Sequence, residues 1–171
     1  MPIVQRFSHQ VLPDDGSGAG EAQPLTNSID KRAVVILGGP GIGTSTELEQ
    51  AAAQDADAIF CTVSQFLADS IEPYQGKTIY LDALDEHRAE LHHGASIIDG
   101  IRGRLRALGS PKVRISCRSE EWQHGSDVKS LSDVTGGEPL YILKMQPLGE
   151  EDIRAIAVEE IEDVDAYLAG A

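Results

Sequence analysis

A glycine-rich run, Gly38 to Thr46 (GGPGIGTST), follows the apolar stretch AVVIL and leads into a helical pattern. Glycines at 38, 41 and 43 let main-chain N–H groups point at an anion with no Cβ in the way. The start of the following helix adds its partial positive charge. The chemistry on offer is a phosphate cradle built from Gly38, Gly39, Pro40, Gly41, Ile42, Gly43, Thr44, Ser45 and Thr46. The plain alternative is a strand-to-helix turn that binds nothing.

The spacing Gly38, four residues, Gly43, then two more matches the P-loop pattern GxxxxGK[ST], with Thr44 where the pattern has lysine. That lysine carries a full positive charge to the β and γ phosphates, whereas threonine offers only a hydroxyl. A charge-assisted hydrogen bond is worth about 1.5–3 kcal/mol, so the exchange costs roughly one to two orders of magnitude in triphosphate affinity. Ser45 keeps the hydroxyl expected to meet Mg²⁺.

Two further stretches end in polar residues at what would be the same sheet edge. In TIYLDALDE, an apolar strand delivers Asp82 at its C-terminal end, with Asp85 and Glu86 in the turn beyond. Ligands of open parallel sheets bind at that end of the strands. Asp82 could therefore hold Mg²⁺ with Ser45, and Asp85 or Glu86 could orient an attacking water. A solvated turn capping the next helix is the alternative. In VRISCRSEEW, Arg118 leaves a strand where a terminal phosphate would sit; it either reads that phosphate or pairs with Asp85, Glu86 or Glu120. Trp122, the single tryptophan, reads as a packing residue.

Taken in order, AVVILGGPGIGTSTELEQ, IYLDALDEHR, VRISCRSEEW and LYILKMQPLGEEDI resemble the NACHT-like nucleotide-binding module of STAND-class P-loop ATPases. The resemblance covers about residues 31–156. It implies a Walker A loop at residues 38–46, a Mg²⁺ carboxylate at Asp82, a catalytic acidic pair at Asp85 and Glu86, and a sensor arginine at Arg118. It also implies ATP and Mg²⁺ as ligands, slow hydrolysis used as a switch, and a larger effector or sensor protein as partner. Thr44 departs from the family pattern, and no lid or winged helix is expected within the residues up to 171. A degenerate P-loop fold kept for protein contacts is the second reading.

The elements that must position these residues follow from the patterning. Short apolar runs at Ala33–Leu37, Ala58–Val63, Thr78–Leu81, Val113–Cys117 and Leu140–Met145 alternate with helical patterns, which predicts βαβ units. Their near-continuous apolar character is that of strands buried on both faces. Leu91, Ala95, Ile98, Ile101, Leu105 and Leu108 place a stripe on a helix from about 88 to 108, with Gly109 as its stop. A helix from about Gly43 to Asp55 should turn Leu48, Ala51 and Ala52 inward, and one from Glu150 should carry Ile153, Ile156 and Ala157 on one side. The expected fold is α/β: a three-layer P-loop NTPase fold with a mainly parallel five-stranded sheet. Residues 1–30 are expected to be a flexible lead-in, because PDDGSGAGEAQP has almost no large apolar residue. The core is expected at 31–158 and an acidic tail at 159–171.

The chain has 171 residues, 41% hydrophobic and 25% charged, which suits one globular domain. Fourteen basic residues against 28 acidic ones give a net charge of −14, which disfavours nucleic acid and anionic membranes. No apolar run approaches the roughly 20 residues of a membrane span, and no signal-peptide pattern opens the chain, so a cytoplasmic protein is expected. Cys61 and Cys117 sit inside strand patterns and are expected to be buried free thiols. His87, His92 and His93 lack metal-ligand spacing. Arg102, Arg104, Arg106, Lys112 and Arg114 form a basic stretch with no aromatic interleaved, expected to be a solvated helix face or a partner surface.

Overall fold

The computed structural model describes residues 7–11, 18–28, 30–84 and 94–160. Asp85, Glu86, the three histidines at 87, 92 and 93, and the tail from 161 lie outside the described residues. Strands β1 (Phe7–Val11) and β2 (Gly18–Pro24) come first, followed by β3 (Ala33–Gly38), α1 (Thr44–Ala53), β4 (Ala58–Thr62) and α2 (Val63–Ala68). Then come β5 (Thr78–Asp82), α3 (Gly94–Ala107), β6 (Val113–Arg118), α4 (His124–Leu131), β7 (Tyr141–Met145) and α5 (Glu150–Glu160).

All six residues of β3 are buried, and they divide cleanly between the two faces of the sheet. Ala33, Val35 and Leu37 join a core with Phe66 of α2, Ile98, Ile101 and Leu105 of α3 and Leu131 of α4. Val34 and Ile36 join a second core with Leu48 and Ala52 of α1. Alternate side chains of one strand thus supply two separate cores, and the result is a three-layer α/β fold: α1, sheet, then α2 to α4. Strands β7, β3, β6, β5 and β4 lie in that order and are mutually parallel. The expected five-stranded parallel sheet is present.

The sheet has two more strands among the described residues. β1 pairs antiparallel with β7, Ser8 opposite Met145 and Val11 opposite Ile142, and β2 pairs antiparallel with β1. The lead-in expected to be flexible therefore carries a hairpin that extends the sheet. Its composition gave no sign of this because ladder hydrogen bonds come from main-chain groups that every non-proline residue carries. The open edge of β7 supplies the template.

Helix details follow from local chemistry. At the start of α2, Thr62 Oγ1 accepts the Gln65 N–H (3.2 Å) and Gln65 Oε1 accepts the Thr62 N–H (2.9 Å), a reciprocal cap. Past the end of α3, Gly109 adopts φ 81°; its N–H reaches Arg106 O (3.0 Å) and Ser110 N–H reaches Leu105 O (2.8 Å). That crossed pair satisfies carbonyls the helix would otherwise leave open, and it confirms the stop at Gly109. One residue expected to face inward, Ala51, does not, and the apolar side expected on α5 is not buried at Ile153. Ala51 is exposed while Leu48 and Ala52 are buried, and Ile153 on α5 is 42% exposed. The α1 contact stripe is narrower than the run of alanines suggests. Cys61 and Cys117 are buried free thiols, and Trp122 is a core residue.

Candidate functional site

The loop after β3 is shaped by two glycines in the left-handed region, Gly41 (φ 72°) and Gly43 (φ 87°), where a side chain would be strained. Between them Ile42 N–H bonds back to Gly39 O at 3.3 Å, and the Ser119 N–H, just past β6, bonds to Gly38 O at 3.1 Å. Gly43 is the N-cap of α1 and no side chain caps that helix start. Glu47 N–H makes the first helical bond, to Gly43 O at 3.0 Å. The loop and the uncapped first turn of α1 border a cleft of about 250 Å³ lined by residues 38–45 together with Ala83, Ser116, Cys117 and Arg118. This is smaller than the roughly 300–1,000 Å³ of sites that enclose a whole organic ligand, and suits a compact polar group.

Gly38 has no room for a side chain: a Cβ there would collide with Thr44 Oγ1 and with Ile42 Cγ2. The Thr44 side chain therefore lies back against the end of β3. Thr46, grouped with the loop on sequence grounds, is exposed and does not line the cleft.

The strand order brings the separate motifs together. β6 sits between β3 and β5, with Gly38 opposite Arg118 and Leu81 opposite Ile115, so the ends of all three strands meet at one edge. There the Ser45 hydroxyl donates to Asp82 Oδ1 at 2.9 Å, joining the loop to the end of β5. Arg118 lines the same cleft with an exposed side chain. Directly after Asp82, Ala83 takes φ 63°, unusual for a residue with a Cβ.

Ser116 was missed by sequence reasoning. It is 3% exposed, donates to Asp82 Oδ1 at 2.5 Å and accepts the Ala83 N–H at 3.0 Å. Within the buried run VRISC, a serine gives no signal of its own. Only the placement of β6 beside β5 reveals it.

Two residues before Ser116, on the same strand face, Arg114 is also buried, with its Nη1 donating to the carbonyls of Arg32 (3.2 Å) and Val113 (3.0 Å). Burial lowers its pKa, while the neighbouring Tyr80 and Asp55 favour its charge. Tyr80 donates its hydroxyl to Asp55 Oδ2 at 3.3 Å, and burial, then the Asp55 charge, raise its pKa.

No group of three or more His, Cys, Asp or Glu side chains among the described residues could cage a metal ion. One carboxylate flanked by two hydroxyls is an all-oxygen, open set. It fits Mg²⁺, which keeps several waters and takes one or two carboxylates plus substrate phosphates.

The basic stretch on α3 is occupied within the fold. Arg102 pairs with Asp99 (3.5 Å) and Arg106 with Asp133 (3.4 Å). Arg104 donates to Asp69 O at 2.7 Å and lies over the Phe66 ring at 5.1 Å. No helix among the described residues is long and apolar enough to cross a membrane.

No family model matches the sequence, and no curated protein matches it. Among solved structures, the chain is similar to one described as "The cytoplasmic domain of EssC", at 11% identity and a TM-score of 0.34, over 90% of this chain and 39% of that one. The chain thus spans well under half the length of that structure, and a superposition this loose carries no argument about the site.

Proposed function

We propose that the chain is a nucleotide-binding module with a P-loop NTPase fold, of the NACHT-like STAND-class kind, that binds ATP with Mg²⁺. The observation that carries this reading is the 2.9 Å hydrogen bond between Ser45 and Asp82, which joins residues 37 positions apart at the mouth of a glycine loop. In this reading the main-chain N–H groups of Gly41 to Ser45 hold phosphate oxygens, and Arg118 faces the terminal phosphate. Ser45 and Asp82 hold Mg²⁺, which when bound neutralises phosphate charge. Asp85 or Glu86 orients water for slow hydrolysis. A cytoplasmic location and a larger effector or sensor partner go with this reading.

A second reading has support from Thr44, whose hydroxyl is packed at Gly38 and replaces the ammonium of the P-loop pattern. In it the fold is kept for protein contacts alone. Titration calorimetry with MgATP on the wild type and on Thr44→Lys decides between them. The nucleotide reading expects weak binding that strengthens about ten- to a hundredfold in Thr44→Lys, the size of one charge-assisted hydrogen bond. Absence of binding in both proteins at millimolar nucleotide would leave the interaction module.

A further inference from the structure

The residue that the strand order places between the glycine loop and Asp82 is Ser116. We infer that Ser116 is a positioning residue for Asp82, fixing its carboxylate for a divalent cation and pinning the backbone bend that follows; this rests on the nucleotide reading above. One buried hydroxyl serves both purposes. Its proton goes to Asp82 Oδ1 at 2.5 Å, and its oxygen accepts the Ala83 N–H at 3.0 Å. Ser45 donates to the same Oδ1 at 2.9 Å. Oδ2 receives no hydrogen bond from the described residues, so both hydroxyls converge on one oxygen and leave the other with its lone pairs open.

A carboxylate held through one oxygen has a fixed plane, and its second oxygen is presented in one direction. This is what partners behind a metal ligand achieve, and losing one typically weakens metal affinity about tenfold or more. The bend matters for the same reason. Ala83 occupies a left-handed conformation that an alanine leaves when nothing holds it, and the bond from its N–H to Ser116 is the restraint visible here. A serine acting only as small filler in β6 would need neither bond.

Ser116→Ala, Ser116→Thr and the wild type separate these accounts. Nucleotide affinity is measured by calorimetry with MgATP and with ATP in EDTA, and exchange of the Ala83 amide is followed by NMR in ligand-free protein. Ser116→Ala is expected to lose about tenfold in MgATP affinity, with the EDTA value unchanged and Ala83 exchange accelerated. Ser116→Thr, which restores the hydroxyl, should recover most of both. Equal losses with and without Mg²⁺ would show a merely structural role and overturn the inference. Unchanged MgATP affinity in Ser116→Ala would overturn it while the nucleotide reading stands, and absence of binding in the wild type would overturn both. If Ser116→Ala melts below the assay temperature, Ser116→Cys, close in volume and a weak donor, carries the same comparison.

Discussion

Ala83 holds φ 63° one residue after the carboxylate that Ser45 and Ser116 share. For an L-residue that conformation costs roughly 1–2 kcal/mol, while glycine enters it freely. Part of the gain from glycine is offset by the larger entropy of its unfolded chain. Ala83→Gly is therefore expected to raise stability by about 0.5–1 kcal/mol, read as a higher urea midpoint at constant slope. A lower midpoint would mean that the alanine methyl packs better than its backbone is strained. The residues that end apolar runs with polar groups, Ser45, Asp82 and Arg118, were legible in the sequence because each marks the end of a strand or the start of a helix. Ser116 and the bend at Ala83 were not. A serine inside a buried strand is ambiguous until its neighbouring strand is known, and a backbone conformation imposed by tertiary contacts leaves no trace in residue type.

At the level of elements, α3 shows what a periodic stripe can and cannot predict. Ile98, Ile101 and Leu105 are each at most 1% exposed and tie α3 to the sheet face opposite α1. Leu105 also supplies the carbonyl that receives the Ser110 N–H at the helix stop. Truncating it leaves a void in a close-packed layer, so Leu105→Ala is expected to cost about 2–5 kcal/mol, measured by chemical denaturation. A loss under about 1 kcal/mol would show that the layer collapses around the gap. The strands of the parallel sheet were readable because burial on both faces demands unbroken apolar runs. The β1–β2 hairpin was not, since GAGEAQP has no alternation to display and the hairpin joins the sheet through β1 against β7, a strand distant in sequence. Ala51 failed as an inward residue for the opposite reason: alanine suits a helix equally well inside or out.

Across the whole molecule, several buried groups gain from staying neutral. Burial, then a hydrogen bond donated to Asp69 at 2.9 Å, raises the Tyr74 phenol well above its ordinary range. Burial likewise raises the Cys61 thiol and the Tyr80 phenol. The unfolded chain loses these protons near the ordinary thiol and phenol values, about 8.5 and 10, while the folded chain retains them. Their contribution is thus fully present below about pH 8.5 and is lost as pH rises beyond it. Urea midpoints are expected to fall steadily from about pH 9 to 11, and Tyr74→Phe should flatten the part above about pH 10. An unchanged slope in that variant would remove Tyr74 from the account. Lastly, the first described strand is joined to the body through the ladder that pairs Ser8–Val11 with Ile142–Met145. A proteolytic cut between Pro24 and Ala33 would turn that seam into a joint between two separate pieces. Once the smaller piece drifted off, Tyr141–Met145 would be left as a bare rim that any extended peptide of matching length could fill.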